Sequence, residues 1–305
     1  MNIHQLKSFL PERDKWRRVL FGLPVVAVIF LLWLDHRGTS VELGRASYRP
    51  QINQDRCQTD QLSGDSGISY GESTENGIKY NVLTPLNYDS SISHPLLLVF
   101  SPAGSNRAKT EKTTGLTLPA TRAGFIVAYV DHPELSPSTT VELGTIPHLM
   151  AKKWCIDEKQ VYITGHSDGG TSAMALAFMT GTSHIPRAIA PSAAGVNYED
   201  LRDRKCPKPI SVMIMHSSKD RLFPGYGQQS SGWWASCNKC DPIPDKLDNG
   251  CVAYTGCANG VKTLYCEGDQ PHSQWPRHGS QITEFFAASE HLVGIDQLKD
   301  LVIGK

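Results

Sequence analysis

Residues 161–170 read Val161-Tyr162-Ile163-Thr164-Gly165-His166-Ser167-Asp168-Gly169-Gly170. An apolar run precedes a G-x-S-x-G pattern, and small apolar residues at 171–179 follow it. This order is typical of a sharp strand-to-helix turn that exposes a serine hydroxyl above the carboxyl edge of a sheet. Glycine is needed on both sides of the serine because the turn leaves no room for side chains. We therefore predict a nucleophilic Ser167 at the N-terminus of a helix, where developing negative charge is favoured.

The region 65–305 alternates between short apolar runs and helical stretches. The predicted strands are 78–83, 96–100, 125–130, 161–164, 210–215 and 261–266, and the predicted helices are roughly 141–154, 168–180 and 279–291. Continuous apolar runs are typical of parallel strands buried on both faces, whereas 78–83 alternates and predicts an edge strand. The pattern predicts one domain with the α/β-hydrolase fold, in which helices cover both faces of a mostly parallel sheet.

Two loops after later strands carry the residue types that a nucleophilic serine needs. In α/β-hydrolases an acid follows the nucleophile along the chain, and a histidine comes last. The strand ending at Met215 leads to Asp220, and the last strand leads to His272. We predict that His272 takes the proton of Ser167, and that Asp220 orients His272 and stabilises its imidazolium form.

Four other histidines are weighed against His272. His278 is the rival base because it is close in sequence, whereas His291 falls in the terminal helix and is expected at the surface. His166 adjoins the nucleophile but should point away from it, which predicts a packing role. His216 begins the acid loop and is expected to fix the shape of that loop.

The negative charge that develops on the substrate oxygen requires two N–H donors. The backbone N–H of Asp168, directly after the serine, is the first predicted donor. The second should come from the loop Ser101-Pro102-Ala103-Gly104, after the 96–100 strand. Proline has no N–H, so the prediction is Ala103, with Gly104 as the second choice.

Several motifs together resemble a known group of proteins. They are Gly165–Gly170, the His216–Asp220 loop with Phe223-Pro224, Tyr254-Thr255-Gly256-Cys257, and Pro271-His272-x-x-Trp275-Pro276. Over about residues 75–290 the chain resembles the polyhydroxybutyrate depolymerase-like and feruloyl esterase group of secreted α/β-hydrolases. The resemblance implies ester hydrolysis, with Ser167, Asp220 and His272 as nucleophile, acid and base. The chain departs from the group at Ser101-Pro102, where His-Gly is usual, and at Pro271, where Gly is usual.

The segment 228–266 is unusually rich in Gly, Asn, Cys, Pro and Asp. It predicts a disulfide-rich insert before the last strand, in the form of a loop rather than a separate domain. Trp233 and Trp234 of this insert, together with Tyr226 and Trp275, are candidates for the wall of an acyl pocket. Ordinary packing beside the disulfides explains these aromatic residues equally well.

All eight cysteines lie after the apolar N-terminal stretch 19–34, which predicts export of the rest of the chain. An even number of cysteines in an exported chain predicts disulfides. They are Cys57, Cys155, Cys206, Cys237, Cys240, Cys251, Cys257 and Cys266. Five fall between 237 and 266, so complete pairing requires at least one bridge out of this cluster. Zinc bound by the first four cysteines of the cluster is the alternative, which oxidising conditions disfavour. We predict neither a metal nor a cofactor.

The N-terminal region has the charge pattern of a targeting segment. Basic residues within 1–18 precede the apolar stretch 19–34, which contains Pro24 and no charge. This stretch is shorter than the ~20 residues that span a bilayer, and no A-x-A cleavage site follows it. We predict a signal-anchor, with a cleaved signal peptide as the alternative, followed by a linker over 35–64. Both place the rest of the chain outside the cytoplasm, and it is bound to the membrane only if 19–34 is uncleaved.

Composition excludes some classes of function. The 305 residues include 30 basic and 30 acidic side chains, so net charge predicts no affinity for nucleic acid. The combined prediction is an exported serine carboxylesterase acting on a small or oligomeric ester of the feruloyl, short-chain acyl or hydroxyalkanoate type. The alternatives are a serine peptidase on the same fold and a non-catalytic α/β-hydrolase-like binding protein.

Overall fold

The computed structural model describes residues 41–47, 57, 62–276 and 278–290. All of the helices and strands given below belong to one compact unit, Leu43–Lys305. The predicted basic segment 1–18 and the predicted signal-anchor or signal peptide 19–34 lie outside the described residues. Where the structure describes the chain, no helix is both long enough and apolar enough to cross a membrane.

Ten strands in the described residues form a single sheet. They are β1 (Ile68–Ser73), β2 (Lys79–Leu83), β3 (His94–Phe100), β4 (Ile126–Val130), β5 (Ile156–His166), β6 (Ala188–Ser192), β7 (Ser211–Ser217), β8 (Asp245–Lys246), β9 (Cys251–Tyr254) and β10 (Thr263–Gly268). Their order in the sheet is β1-β2-β4-β3-β5-β6-β7-β10-β9-β8. The central strands from β4 to β10 in this order run parallel, and antiparallel strands flank them on both sides. The predicted mostly parallel sheet is confirmed.

The described residues also contain eight α-helices, which cover both faces of the sheet. They are α1 (Arg107–Thr114), α2 (Thr117–Arg122), α3 (Pro137–Leu143), α4 (Ile146–Ala151), α5 (Asp168–Phe178), α6 (Tyr198–Leu201), α7 (Tyr226–Cys237) and α8 (Gly279–Glu290). In β5, the ring of Tyr162 lies 5.2 Å from that of Phe286 on α8, whereas the adjacent Ile163 shares a core cluster with Met174 of α5. Adjacent strand residues point to opposite faces, so α5 and α8 cover opposite faces of the sheet.

The strand predicted at the edge of the sheet, 78–83, is an inner strand. β2 lies between β1 and β4, and its residues after Lys79 are buried. The polar side chains of Lys79 and Asn81 made this segment alternate. Lys79 is exposed at the start of the strand, whereas Asn81 is buried, and its Oδ1 accepts a hydrogen bond from Arg107 Nε at 2.7 Å. The polar residue inside the strand is therefore a paired polar group and does not mark a face exposed to solvent.

The single helix predicted over 141–154 is wrong, because the segment forms the two short helices α3 and α4. The first ends at Leu143 and the second begins at Ile146. Pro147 has no N–H to donate to the carbonyl of Leu143, so a continuous helix cannot pass this point. The predicted helices 168–180 and 279–291 are confirmed as α5 and α8.

The insert before β10 is more regular than the predicted loop. It includes most of α7 and both β8 and β9. β9 pairs antiparallel with β10, and β8 pairs with β9, so the insert extends the sheet beyond its parallel strands. Pairing of this kind satisfies backbone N–H and C=O groups that an irregular segment would leave to solvent.

All eight cysteines form disulfides: Cys57–Cys155, Cys206–Cys237, Cys240–Cys257 and Cys251–Cys266. Cys206–Cys237 is the predicted bridge out of the cluster. The pairing excludes the zinc alternative, because cysteines in disulfides have no thiolate to bind a metal. Elsewhere in the described part of the chain, no three His, Cys, Asp or Glu side chains are grouped to hold a metal ion. Four disulfides indicate an oxidising, extracytoplasmic compartment.

The described part of the predicted linker contacts the domain. The N–H of Gly44 donates to Thr121 Oγ1 at 2.7 Å, and the N–H of Ala46 donates to Asn87 Oδ1 at 2.7 Å. The Cys57–Cys155 disulfide attaches the linker directly before β5. The domain boundary at residue 65 stays a prediction.

Candidate active site

Ser167 lies on the sharp turn between β5 and α5. Its φ of 54° and ψ of −119° belong to a region that residues with side chains rarely adopt. A Cβ added to Gly165 would lie 2.5 Å from the backbone of Gly169, and a Cβ added to Gly169 would overlap the carbonyl of Phe100. The two glycines are therefore required by close backbone packing around the serine.

Ser167, His272 and Asp220 meet at the carboxyl edge of the sheet. His272 Nε2 is 2.9 Å from Ser167 Oγ, and His272 Nδ1 is 2.7 Å from Asp220 Oδ2. Their loops follow β5, β10 and β7, which are parallel strands and therefore end at the same edge. A carboxylate only accepts hydrogen bonds, so His272 Nδ1 carries a hydrogen and Nε2 accepts from the serine hydroxyl.

The carboxyl group of Asp220 is fully buried, and both of its oxygens are hydrogen-bonded. Oδ1 accepts from the N–H groups of Leu222 and Phe223, each at 2.9 Å, while Oδ2 accepts from His272. Burial alone would raise the pKa of the Asp220 carboxyl, but these hydrogen bonds outweigh burial, and the pKa lies below its usual value. The group therefore stays a carboxylate at neutral pH.

His216 holds the loop that carries the acid. Its Nε2 donates to the carbonyl of Phe223 at 2.8 Å and lies 3.5 Å from Asp220 Oδ2. Burial lowers the pKa of His216, which keeps the ring neutral beside the carboxylate. These contacts agree with the loop-shaping role expected from the sequence.

The other histidines take different places. His272, and not its rival His278, is the histidine bonded to Ser167 Oγ. His278 instead lines a cavity of about 200 Å³ whose lining also includes Asp220 and His272. His166 makes hydrogen bonds through both ring nitrogens, so it does more than pack. His291 lies outside the described residues.

Hydroxyl groups hold the loop after β3. Ser101 Oγ donates to the carbonyl of Val130 at 2.6 Å and accepts from Thr110 Oγ1 at 2.7 Å. These two bonds tie the start of the loop to the end of β4 and to α1. They explain how Ser101 replaces the usual histidine at this position without leaving the loop unsupported.

The remainder of this loop forms a tight turn. The N–H of Ser105 donates to the carbonyl of Pro102 at 3.1 Å, and Gly104 has a φ of 69°. A glycine with positive φ is favoured at this position of a type II turn. Ala103 lies at the tip and lines the same cavity as Ser167. Its assignment as an oxyanion donor, like that of Asp168, stays a prediction.

His132 is a residue that the sequence reasoning missed. It follows β4, and its Nε2 lies 2.8 Å from Oδ2 of Asp168, the residue after the serine. The signal was available, because His132 is the second residue after a buried parallel strand, and such positions lie at the carboxyl edge. Its contact orients the side chain of Asp168 at the start of α5.

A cavity of about 420 Å³ opens beside Ser167. Its lining includes Pro102, Ala103, Thr110, Leu222, His272 and Trp275. Trp275 therefore lies at a cavity beside the serine, and its role in binding substrate stays a prediction. The indole of Trp275 also packs against His166, with ring centroids 6.0 Å apart.

Trp233 and Trp234 do not line this cavity, which corrects their predicted place in an acyl pocket. Both belong to the hydrophobic core, where Trp234 is 0% exposed and Trp233 is 8% exposed. The centroids of their rings are 5.0 Å apart, and the ring centroid of Trp233 is 6.3 Å from that of Phe178 on α5. The side chains lie on the buried face of α7, so the packing alternative accounts for them.

Comparison with known proteins supports this fold. No family model matches the chain. Solved structures similar to it include an acetyl xylan esterase from Aspergillus awamori, with a TM-score of 0.54 and 16% identity, covering 72% of this chain and 99% of that one. A hyperthermophilic esterase from the archaeon Pyrobaculum calidifontis has a TM-score of 0.53 and 13% identity, covering 76% and 86%. The fold is the α/β-hydrolase fold.

One curated relative is similar in sequence. The chain is 24% identical over 221 residues to feruloyl esterase B of Piromyces equi, a match that covers 62% of this chain and 41% of the relative. The chain thus spans less than half the length of that protein. The match confirms the predicted resemblance to the feruloyl esterase group.

Proposed function

We propose that this chain is an extracytoplasmic serine carboxylic-ester hydrolase. One observation carries the proposal: Ser167 Oγ, the His272 ring and Asp220 Oδ2 form a continuous hydrogen-bonded series, with distances of 2.9 and 2.7 Å. A base bonded to a nucleophile, and an acid bonded to that base, is the arrangement that activates a serine hydroxyl. The fold and the similarity to feruloyl esterase B support an ester as the substrate.

The reaction follows from these contacts. Ser167 Oγ attacks the ester carbonyl carbon while its proton moves to His272 Nε2. The bond to the alcohol oxygen then breaks, and the alcohol leaves with the proton from His272. Water attacks the resulting acyl-enzyme, gives a proton to His272, and releases the acid as the proton returns to Ser167. Asp220 stays ionised and stabilises the imidazolium formed in each half-reaction.

The oxyanion would be held by two backbone N–H groups, those of Asp168 and Ala103. Asp168 is the first residue of α5, where N–H groups have no partner within the helix. Ala103 supports this assignment because it faces the cavity at Ser167. Loss of one such donor costs about 3 kcal/mol of transition-state stabilisation.

The cavity at Ser167 suits a small acyl group. Pro102, Leu222 and Trp275 provide apolar surface, and the hydroxyls of Ser105 and Thr110 provide hydrogen-bonding groups. A mixed lining of this kind fits a feruloyl, short-chain acyl or hydroxyalkanoate ester. Of these, a feruloyl ester has the added support of the curated relative's name.

Outside the described residues, the apolar stretch 19–34 would attach the enzyme to the membrane with its disulfide-bonded domain outside the cytoplasm. The full-length chain should then sediment with membranes and be released by detergent, whereas residues 40–305 exported behind an unrelated cleavable signal peptide should stay in the supernatant. If the full-length chain is expressed and the mature protein is recovered without residues 19–34, the cleaved signal peptide is favoured.

The proposed activity is tested with p-nitrophenyl acetate, butyrate and octanoate and with methyl ferulate. The disulfide-bonded wild-type chain should hydrolyse at least one of them. Ser167→Ala should lower turnover by at least about 10³-fold, while the exposed control Ser138→Ala should leave it unchanged. The preferred acyl group then distinguishes a feruloyl from a short-chain role.

Two further reagents, a peptide anilide and a fluorophosphonate probe, test the two alternatives on the same protein. Cleavage of a peptide anilide in preference to every ester would indicate a serine peptidase. Failure of a fluorophosphonate probe to label Ser167 in correctly folded protein would indicate a non-catalytic binding protein and would overturn the proposal.

A further inference from the structure

His166 links the strand that carries the nucleophile to the loop that carries the base. It is the last residue of β5, directly before Ser167, and is 8% exposed. Its Nε2 lies 2.6 Å from the carbonyl oxygen of His272, and its Nδ1 lies 2.9 Å from Ser192 Oγ. His166 thus contacts the main chain of a residue that lies 106 positions away in sequence.

The partners of His166 determine which ring nitrogen carries hydrogen. A carbonyl oxygen only accepts, so Nε2 must carry the hydrogen and donate to His272. Burial lowers the pKa of His166 to about 4, so the ring is neutral at neutral pH. A neutral ring with hydrogen on Nε2 has a lone pair on Nδ1, which accepts from the Ser192 hydroxyl.

Ser192 extends this network to the nucleophile. It ends β6, and its carbonyl accepts a hydrogen bond from the N–H of Ser167 at 2.9 Å. Its hydroxyl donates to His166 Nδ1. One residue therefore supports the main chain at Ser167 directly and the main chain at His272 through His166.

The loop that carries the base depends on contacts of this kind. Regular structure ends at Gly268 and resumes at Gly279. The loop between them is bonded through the carbonyl of Gln270 to Ser217 and through a local turn from Gln274 to Pro271. The hydrogen bond from His166 reaches the main chain of His272 itself, and the two rings pack with centroids 5.5 Å apart.

On the basis of the proposed function, we propose that His166 is a positioning residue for the base. Its Nε2–H bond to the His272 carbonyl holds the imidazole of His272 at hydrogen-bonding distance from Ser167. His166 bonds neither Ser167 Oγ nor Asp220, so it acts on the reaction only through the placement of His272. Misplacement of a catalytic group by about 1 Å costs on the order of 100-fold in rate.

Two amide substitutions separate this role from packing. In His166→Gln, the side-chain NH2 reaches the position of Nε2 and can still donate to the His272 carbonyl. In His166→Asn, the shorter amide reaches only the position of Nδ1 and contacts Ser192. We expect kcat on the best ester to fall about 10- to 100-fold in the Asn variant, with KM unchanged, and less than about 5-fold in the Gln variant. His148→Asn, at an exposed histidine, should leave kcat unchanged.

Nuclear magnetic resonance provides a readout that does not require turnover. In the wild-type chain, the ¹⁵N shifts of His166 should show a neutral ring with hydrogen on Nε2 at neutral pH. The low-field signal of the proton between His272 Nδ1 and Asp220 should persist in the Gln variant and weaken in the Asn variant. Thermal unfolding of each variant identifies any loss of folded protein.

These readouts distinguish failure of this proposal from failure of the proposed function. Equal kcat values in the Asn and Gln variants, or a His166 ring with hydrogen on Nδ1, would overturn the positioning role even in an active esterase. If the wild-type chain hydrolysed no ester but the two variants still differed at the His272 proton, the positioning role would stand and the esterase proposal would fail.

Discussion

Replacing Asp220 by Asn removes one charge from the candidate site while preserving its shape. The Asn carbonyl oxygen can still accept from the N–H groups of Leu222 and Phe223, as Oδ1 of Asp220 does. The amide NH2 then faces His272 Nδ1, which must accept instead of donate. His272 is thereby forced to carry its hydrogen on Nε2, where it can no longer accept the proton of Ser167.

The size of the effect follows from burial and distance. The Asp220 side chain is 0% exposed and that of His272 is 18% exposed, with 2.7 Å between the bonded atoms. Opposite unit charges about 4 Å apart interact by about 4 kcal/mol at an effective dielectric constant of about 20. Losing this stabilisation of the imidazolium corresponds to about 10³-fold in kcat, and the wrong tautomer adds to the loss.

The assay is hydrolysis of the best p-nitrophenyl ester at pH 7 by wild type and Asp220→Asn, with Ser167→Ala as the baseline. Asp203→Asn, at an 89% exposed side chain, is the matched control for loss of a carboxylate. We expect kcat to fall by at least about 10³-fold with little change in KM. A folded Asp220→Asn variant that retains a tenth or more of wild-type kcat would refute the assigned role of the carboxylate.

Three further predictions concern the pocket, acid stability and the disulfides. In steady-state kinetics, Trp275→Ala should raise KM for methyl ferulate, whereas Trp233→Ala should leave KM unchanged. In urea unfolding, Trp233→Ala should lower the free energy of unfolding by about 3–5 kcal/mol. The pKa of His166 falls from 6.5 to about 4 on folding, so the unfolded chain binds more protons between these values and stability declines as pH falls through this window. His166→Gln should remove up to about 3 kcal/mol of that decline between urea unfolding at pH 7 and at pH 4. Cys57 and Cys155 are 98 residues apart, and replacing both by Ser should lower the free energy of unfolding in urea by about 4–5 kcal/mol. The same change at Cys251 and Cys266, 15 residues apart, should lower it by about 3 kcal/mol. Equal losses would contradict the chain-entropy account of disulfide stabilisation.

Two patterns in the sequence, polar alternation and aromatic content, can each arise from two different arrangements of side chains. Asn81 resembled an outward-facing residue, but it is buried against Arg107. Trp233 and Trp234 resembled a pocket wall, but they fill the core beneath α7. Polar alternation and aromatic content describe side chains without their neighbours, so they do not distinguish a paired polar group from an exposed one, or a core from a pocket.

The sequence by itself determined the parts of this protein that depend on local geometry. Gly165 and Gly169 indicated the turn at Ser167 because no larger residue fits beside that backbone. The apolar runs indicated the buried parallel strands, and the order of the later loops indicated Asp220 and His272 as partners of the serine.

Only the tertiary structure decided which distant groups meet. The four cysteine pairs, the contact of His132 with Asp168, and the hydrogen bond from His166 to the carbonyl of His272 join residues between 15 and 106 positions apart. The two histidine contacts depend on how parallel strands bring their carboxyl ends and following loops to one edge of the sheet. The disulfides depend on other meetings: Cys57–Cys155 lies before the start of β5, and Cys251–Cys266 joins the antiparallel neighbours β9 and β10. A hydrogen bond or disulfide of this kind is set by distance in space, and residue types along the chain do not specify that distance.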